Sequence, residues 1–221
     1  AFINAAAFVD VSRDGDSYAI ESTYTAIPGG TTRNDRRERA LTEVQSSIGN
    51  VGVFYLEEFA ADSANLPAGT KFLAIDGVTP SRSTVDDGTY PFFRPLILSY
   101  LSSASTEITT FAEDFIAFAR STAGQAEITA AYLGLTTPVG YTADPALPAG
   151  PFAVGGSSTI GAIADNLISA YETTAGANVV EGEYAQVGSS AGADGAIDGT
   201  YAVSGQSRQL RGSETDAGLV G

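Results

Sequence analysis

The chain contains no cysteine and no histidine, and these two absences exclude several kinds of chemistry. Without cysteine it can form neither a disulfide nor a thiolate nucleophile. Without histidine it lacks the side chain that proteins use most often as a general base and as a metal ligand. We therefore expect a protein that is not an enzyme and that has no catalytic residue, no bound metal and no cofactor.

Positive charge is also scarce, since 11 basic residues face 26 acidic ones and give a formal net charge of −15. A surface this acidic repels nucleic acid and anionic lipid, so we expect no nucleic-acid partner. No apolar run approaches the roughly 20 residues that span a bilayer, so we expect no insertion into a membrane. Methionine is absent, even from position 1, so we expect residue 1 to be a mature or processed N-terminus. The expected location is extracellular or at the cell surface, with the periplasm as the alternative.

Hydrophobic residues make up 43% of the 221 residues, which is ordinary for a globular protein. Their spacing changes repeatedly between the strand and the helix period, and this alternation predicts an α/β fold. A hairpin is predicted at 8–27, and strands are predicted at 71–78, 89–101 and 200–204. The stretch 51–59 is predicted to be a strand or a short buried segment. The predicted helices are at 34–47, 107–121, 124–133 and 159–175. We interpret Phe92 and Phe93, beside Arg94, as core and sheet edge.

The segment 137–151 carries four prolines and little periodicity, so it is the best linker candidate in the chain. Three stretches near or after it could hold an anion. They are GGSST at 155–159, GSSAG in a glycine-rich turn at 188–195, and SGQSR at 204–208. Free N–H groups at a helix start favour an anion, although a glycine-serine turn is more often only a helix cap.

These stretches also carry a resemblance to a known family. GSST at 156–159, GSSAG at 188–192 and SRQL at 207–210, followed by Glu214, resemble the N-terminal lobe of the phosphate-binding proteins of ABC transporters, the PstS-like family. IGNVG at 48–52, IDGVTPS at 75–81 and YPFFRPL at 90–96 resemble the C-terminal portion of the same family. The resemblance implies a single lobe of the type II periplasmic-binding-protein fold.

The order of the motifs is the reverse of the order in that family, so the sequence resembles a circularly permuted lobe. The division that follows is an N-terminal hairpin extension at 1–30, the family's C-terminal portion at 31–136, the linker at 137–151 and the family's N-terminal portion at 152–221. We expect the second lobe of the family to be missing from this sequence. We regard the four segments as one domain.

The resemblance implies that a phosphate would lie against one wall of residues, namely Ser158, Thr159, Ile160, Ser189, Ser207 and, as a supporting charge, Arg208. Half a site leaves the anion partly in water, so each charge-assisted hydrogen bond is weaker than in a closed cleft.

Two functions from different classes remain open. The first is a self-assembling structural subunit, such as a filament or surface layer, that pairs with copies of itself. Its contacts would come from the apolar N-terminus by strand addition, through Phe2, Ile3, Phe8, Val9 and Val11. The alternative is a phosphate- or oxyanion-binding protein for ABC-type uptake or scavenging. We take the structural subunit as the main interpretation at this stage.

Overall fold

The computed structural model describes residue 66 and residues 68–221, and the chain divides into two compact units between Phe92 and Phe93. Several predicted features lie outside the described residues: the hairpin at 8–27, the helix at 34–47, the strand at 51–59 and the proposed assembly residues Phe2, Ile3, Phe8, Val9 and Val11.

The described part of the first unit contains a tight turn and one short helix. Ile75 and Val78 exchange two backbone hydrogen bonds of 2.9 Å across Asp76 and Gly77, whose φ angles are 51° and 81°. A two-residue turn with both φ angles positive is the kind that asparagine-glycine or aspartate-glycine pairs favour. The predicted strand at 71–78 is therefore wrong, because among the described residues this segment forms one isolated bridge and no ladder, and Leu73 is 47% exposed. Helix α1 follows at Arg82–Asp86.

The second unit is built on a four-stranded sheet. Its strands are β1 (Ile97–Leu101), β2 (Val154–Gly156), β3 (Val203–Gln206) and β4 (Leu219–Val220), in the order β2-β3-β1-β4. Strands β2 and β3 are parallel, whereas β1 is antiparallel to both β3 and β4. Strand β1 precedes the proline-rich segment and its neighbours follow it, so residues from both sides of that segment form one sheet. The predicted strand at 89–101 begins only at Ile97, since prolines at 91 and 95 cannot donate to a sheet ladder.

Five helices complete the second unit: α2 (Thr106–Ala119), α3 (Thr122–Thr129), α4 (Ser158–Ala175), α5 (Ser189–Asp198) and α6 (Gly212–Asp216). The predicted helices at 107–121 and 159–175 are confirmed to within two residues at each end. Helix α4 ends at Gly176, whose φ of 71° is the left-handed conformation that glycine accepts without strain. The predicted helix at 124–133 starts at 122 and ends earlier, at Thr129.

Aromatic side chains of α2 and α4 form the centre of the main hydrophobic cluster. Phe111 is fully buried and stacks on Phe152, with 4.6 Å between ring centroids. Phe115 meets Tyr171 edge-to-face at 5.0 Å, and Phe118 lies 5.5 Å from the same tyrosine. Such pairs add roughly 0.5–1.5 kcal/mol beyond the burial of their area. A smaller cluster joins α5 to β4 through Ala193, Ala196 and Leu219.

The predicted glycine-rich turn at 188–195 is wrong, because Ser189–Asp198 is a helix. Its glycines serve close packing instead of a turn. A Cβ atom added at Gly192 would lie only 2.4 Å from the Cα of Gly156, at the end of β2. A Cβ at Gly195 would lie 2.5 Å from the ring of Tyr201. The close approach of α5 to the end of β2 and to Tyr201 is therefore possible because these two positions have no side chain.

The proline-rich segment is fastened to the second unit by a buried carboxylate on α2. Asp114, which is 5% exposed, accepts hydrogen bonds from the Tyr141 hydroxyl at 2.7 Å, the Tyr171 hydroxyl at 2.8 Å and the Asp144 N–H at 2.9 Å. Burial and the bond to this carboxylate raise the pKa of both tyrosines, so both hydroxyls stay protonated as donors. Tyr141 and Asp144 belong to the segment 137–151, which is therefore anchored.

Gly192→Ala tests the close approach of α5 to β2. The intrinsic helix propensity of alanine would stabilise the variant by up to about 1 kcal/mol, whereas the overlap with Gly156 costs about 1–3 kcal/mol. We expect a net loss of stability by urea unfolding. Gly212→Ala in α6 is the matched control, because open space surrounds its added Cβ, and it should be neutral or slightly more stable than the wild type. Equal stability of the two variants would contradict this packing.

Asp114→Ala tests the anchoring of the proline-rich segment. The substitution leaves the buried Tyr171 hydroxyl and two partly buried donors without their acceptor, and we expect unfolding to become easier by about 2–4 kcal/mol. Asp216→Ala removes an exposed carboxylate and should change stability by less than about 0.5 kcal/mol. A loss for Asp114→Ala no larger than that of the control would show that the three bonds do not hold the segment.

Candidate functional site

The first turn of α4 begins directly where β2 ends. Ser157 is the N-cap residue, is 3% exposed, and accepts a hydrogen bond on its Oγ from the Thr159 N–H at 3.2 Å. Its own N–H donates to the Gly205 carbonyl of β3 at 2.8 Å. The Tyr132 hydroxyl donates to the Thr159 carbonyl at 2.7 Å, which ties this turn to the residues that follow α3. The start of α4 is thus bonded to β3 and to Tyr132.

The start of α5 lies beside the same strand end. The Gly188 N–H donates to the Gly156 carbonyl at 2.8 Å, and α5 begins at the next residue. No described side chain caps this helix, and the first N–H groups of any helix lack intrahelical acceptors. Partial positive charge therefore accumulates next to Ser189.

Ser207 brings the end of β3 to the start of α5. Its N–H donates to the Ser189 Oγ at 3.2 Å, and the two hydroxyl oxygens are 3.5 Å apart. Ser207 is 7% exposed, so its hydroxyl is held in a fixed environment rather than displayed on a loose loop. Two hydroxyls, each able to donate or accept, thus meet at one point.

Three fully buried polar side chains, Ser99, Ser204 and Gln206, form a hydrogen-bonded cluster in the sheet, next to Ser207. The Ser99 hydroxyl of β1 donates to the Gln206 Oε1 at 2.9 Å, and the Gln206 Nε2 donates to the Ser204 Oγ at 2.6 Å. The hydroxyls of Ser99 and Ser204 are 3.1 Å apart, and all three residues are 0% exposed. Since buried polar groups are costly unless satisfied, this arrangement fixes β3 against β1 immediately before Ser207.

Arg208 is paired with Glu214 through two hydrogen bonds, of 2.6 and 2.8 Å. Glu214 is 4% exposed and also accepts from the Arg211 N–H at 2.7 Å. The bond with Glu214 raises the pKa of Arg208, and the bond with Arg208 lowers the pKa of Glu214. The Ser190 Oγ lies 3.5 Å from the second guanidinium nitrogen. The pair orients the arginine beside the start of α5 but neutralises most of its charge.

An open cleft of about 350 Å³ lies at this meeting point. Its walls are formed by Phe93, Arg94, Pro95, Ser189, Ser207, Arg208 and Gln209. The expectation that Phe92 and Phe93 belong to the core is wrong, since they are 41% and 50% exposed. Both residues precede β1, and Pro95 cannot donate to the sheet ladder. Strand pairing therefore begins only after them, and no neighbouring strand among the described residues covers their side chains.

The structure places the predicted site residues in two groups. Ser189, Ser207 and Arg208 lie together in the cleft. Ser158, Thr159 and Ile160 form the first turn of α4 and are not among the residues that line the cleft. Ile160 is 3% exposed and packs in the main cluster, so only its backbone could serve an anion.

Sequence reasoning missed Arg94 and Tyr132. The signal for Arg94 was present in the YPFFRPL motif, but strand periodicity assigned it to a sheet edge. Tyr132 follows a helix whose end was placed too late, and nothing in its local sequence indicates its bond to Thr159.

Within residues 68–221 the structure contains no cluster of acidic side chains suited to a metal ion, and none of the helices described there is long and apolar enough to cross a membrane. The Tyr184 hydroxyl is buried without a partner in this same range, against Gly156 and Gly205. Because it has almost no accessible surface, it cannot contact an anion in the cleft directly.

Comparison with known proteins points to one family of relatives. The chain is 29% identical over 164 residues to phosphate-binding protein PstS 2 from two strains of Streptococcus pneumoniae, TIGR4 and R6. The match covers 73% of this chain and 50% of each relative, so the chain spans about half the length of the curated relatives it matches. No protein-family model matches the chain.

A solved structure gives the same result for the fold. It is the crystal structure of a phosphate-binding protein of a phosphate ABC transporter from Streptococcus pneumoniae TIGR4. The TM-score is 0.65 at 30% sequence identity, and the match covers 83% of this chain and 66% of that one. The predicted mixed α/β fold of the type II periplasmic-binding class is thus confirmed, whereas the permuted order of its two portions stays a prediction.

Glu214→Gln tests the pair that orients Arg208. Because the pKa of Glu214 is lowered in the folded state, the pair contributes stability above the ordinary glutamate pKa of 4.5 and loses it as the pH falls. We expect the variant to be less stable than the wild type at neutral pH, and this difference to shrink steadily in acid. Urea unfolding across a pH series measures it. A difference that is the same at every pH would contradict the ion pair.

Proposed function

Because the chain is PstS-like in both sequence and fold, we propose that it is a non-enzymatic protein that binds inorganic phosphate where β2 and β3 end. The observation that carries this proposal is the contact of Ser207 with Ser189, which places two hydroxyls and an uncapped helix start in one cleft. The relatives named above bear the name of phosphate-binding proteins.

The donors in this cleft suit an oxyanion. Each serine hydroxyl can donate one hydrogen bond, and the first N–H groups of α5 can donate more. An anion at a helix start is further stabilised by the helix dipole. Since the burial of Ser99, Ser204 and Gln206 holds the end of β3 in place, these donors need little reorganisation when phosphate arrives.

The first turn of α4 supplies a second set of donors in our proposal. The Ser157 N–H donates to the carbonyl of Gly205 in β3, which ties this turn to that strand. The Gly188 N–H donates to the carbonyl of Gly156, which ties the start of α5 to the end of β2. Thr159 is half-buried, and its backbone carbonyl is fixed by Tyr132. We propose that the Thr159 side chain and the first N–H groups of α4 approach the phosphate from this side.

We further propose that the protein works outside the cytoplasm, extracellularly or in the periplasm, and delivers phosphate to an ABC transporter. The support is the printed description of the solved relative as the binding protein of such a transporter. The main interpretation from the sequence, a self-assembling structural subunit, finds no support in the comparisons, which favour its alternative, phosphate binding.

Removal of single donors tests the site by titration calorimetry with phosphate. Hydrogen bonds to charged groups contribute about 1.5–3 kcal/mol, so Ser189→Ala, Ser207→Ala and Thr159→Ala should each weaken binding by about tenfold or more. Ser103→Ala removes an exposed hydroxyl from the turn after β1 and should bind like the wild type.

Two results would overturn the proposal. One is the absence of heat when millimolar phosphate is added to the folded wild-type protein. The other is an equal affinity of Ser103→Ala and Ser207→Ala, which would place the bound phosphate away from the cleft. Thermal unfolding of each variant shows whether a loss of binding reflects a loss of fold.

A further inference from the structure

The cleft that contains Ser189 and Ser207 also contains Arg94, which comes from a distant part of the chain. We propose that Arg94 is a further anion-binding residue, whose guanidinium contacts the phosphate held by the two serines. This inference rests on the proposed function above, because it assigns a further contact to the same bound phosphate.

The register of the sheet places Arg94 beside the serine turn. In the antiparallel pair of β1 and β3, Ile97 lies opposite Gln206. Continued backwards from Ile97, the same register brings residues 94–96 alongside residues 207–209, which follow β3. Pro95 limits the backbone of this segment to a narrow range of φ, so the approach of Arg94 is not that of a free loop. The cleft is consistent with this extended register, because residues 93–95 and residues 207–209 both line it.

The charge balance of the cleft gives the second argument. Arg208 is bound to Glu214 by two hydrogen bonds and donates a third, of 2.9 Å, to the Gln209 carbonyl. Asp194 also lies close enough to raise the pKa of Arg208. The positive charge of Arg208 is thus offset by carboxylates, and most of its donors are occupied. Arg94 is the second guanidinium in the lining, and it would add positive charge next to a phosphate dianion there.

The chemistry of the arginine side chain fits this role. A guanidinium presents a planar fork of donors that matches two phosphate oxygens at once, and it stays charged at any physiological pH. The Arg94 side chain is exposed and lines the cleft, so an anion there can reach it from solvent. In a chain with a net charge of −15, such a residue also offsets the repulsion that a dianion meets on approach.

Phosphate titration of charge variants tests this inference. Arg94→Gln should weaken binding by about tenfold, and Arg94→Lys should restore part of the loss, because it keeps the charge but not the fork. Arg120→Gln is the matched control, since it removes an exposed arginine at the end of α2, outside the cleft lining, and it should bind like the wild type.

The pH dependence distinguishes a direct contact from a structural effect. Each titration is repeated at one pH below and one pH above the second ionisation of phosphate. If Arg94 contacts the anion, the wild type gains more affinity than Arg94→Gln as phosphate becomes a dianion, and added salt reduces that advantage. A purely structural role would lower the affinity by the same factor at both pH values, and that result would overturn the inference.

The two proposals fail in different ways. Phosphate binding by the wild type, with Arg94→Gln indistinguishable from Arg120→Gln, would overturn the role of Arg94 and leave the proposed function standing. Absence of phosphate binding by the folded wild type would overturn the proposed function and the role of Arg94 with it. A full tenfold loss in Arg94→Gln, combined with partial recovery in Arg94→Lys and the predicted pH dependence, would support both.

Discussion

The pairing of β1 with β3 is the interaction on which the rest of the second unit depends. Strand β1 comes before the proline-rich segment, and both strands that flank it in the sheet come after that segment. The register of Ile97 opposite Gln206 fixes where β3 ends and therefore where Ser207 lies. The same register brings the segment with Arg94 to the cleft. Strand pairing across a long stretch of sequence thus builds the site.

Close backbone packing supplies the second constraint. The absence of a side chain at Gly192 lets α5 lie against the end of β2, and this contact sets the position of Ser189. The buried hydroxyls and amide beneath Ser207 hold the other side of the cleft. Both contacts restrict the conformations of a hydrogen-bond donor before any anion binds. The contact at Gly192 does so for Ser189, and the buried side chains do so for Ser207. Binding by rigid donors loses less entropy than binding by mobile ones.

The sequence predicted the parts of the fold that local pattern determines. Helices α2 and α4 follow from apolar spacing and, for α4, from the glycine that ends it. The helix at Ser189–Asp198 could not be predicted in this way, because its glycines are typical of turns and are explained only by contacts with β2 and Tyr201. The strand expected at 71–78 failed for the opposite reason, since its apolar residues find no partner strand among the described residues.

The same distinction applies to the site. Local motifs predicted Ser189, Ser207 and Arg208 as site residues, and the structure brings these three into one cleft. The motifs did not predict Arg94, because its place in the cleft depends on the register of a strand that begins three residues later. The relation of the α4 turn to the cleft likewise depends on tertiary bonds that no local pattern encodes.

The central claim is that phosphate binds where β2 and β3 end, and amide chemical shifts test it most directly. Phosphate would be titrated into ¹⁵N-labelled protein while the backbone N–H signals are followed by NMR. The account predicts saturable shifts concentrated at residues 188–191 and 207–208, with a smaller group at 158–160 and none in the middle of α2. Saturable shifts confined to other parts of the chain, or no shifts at millimolar phosphate, would contradict it.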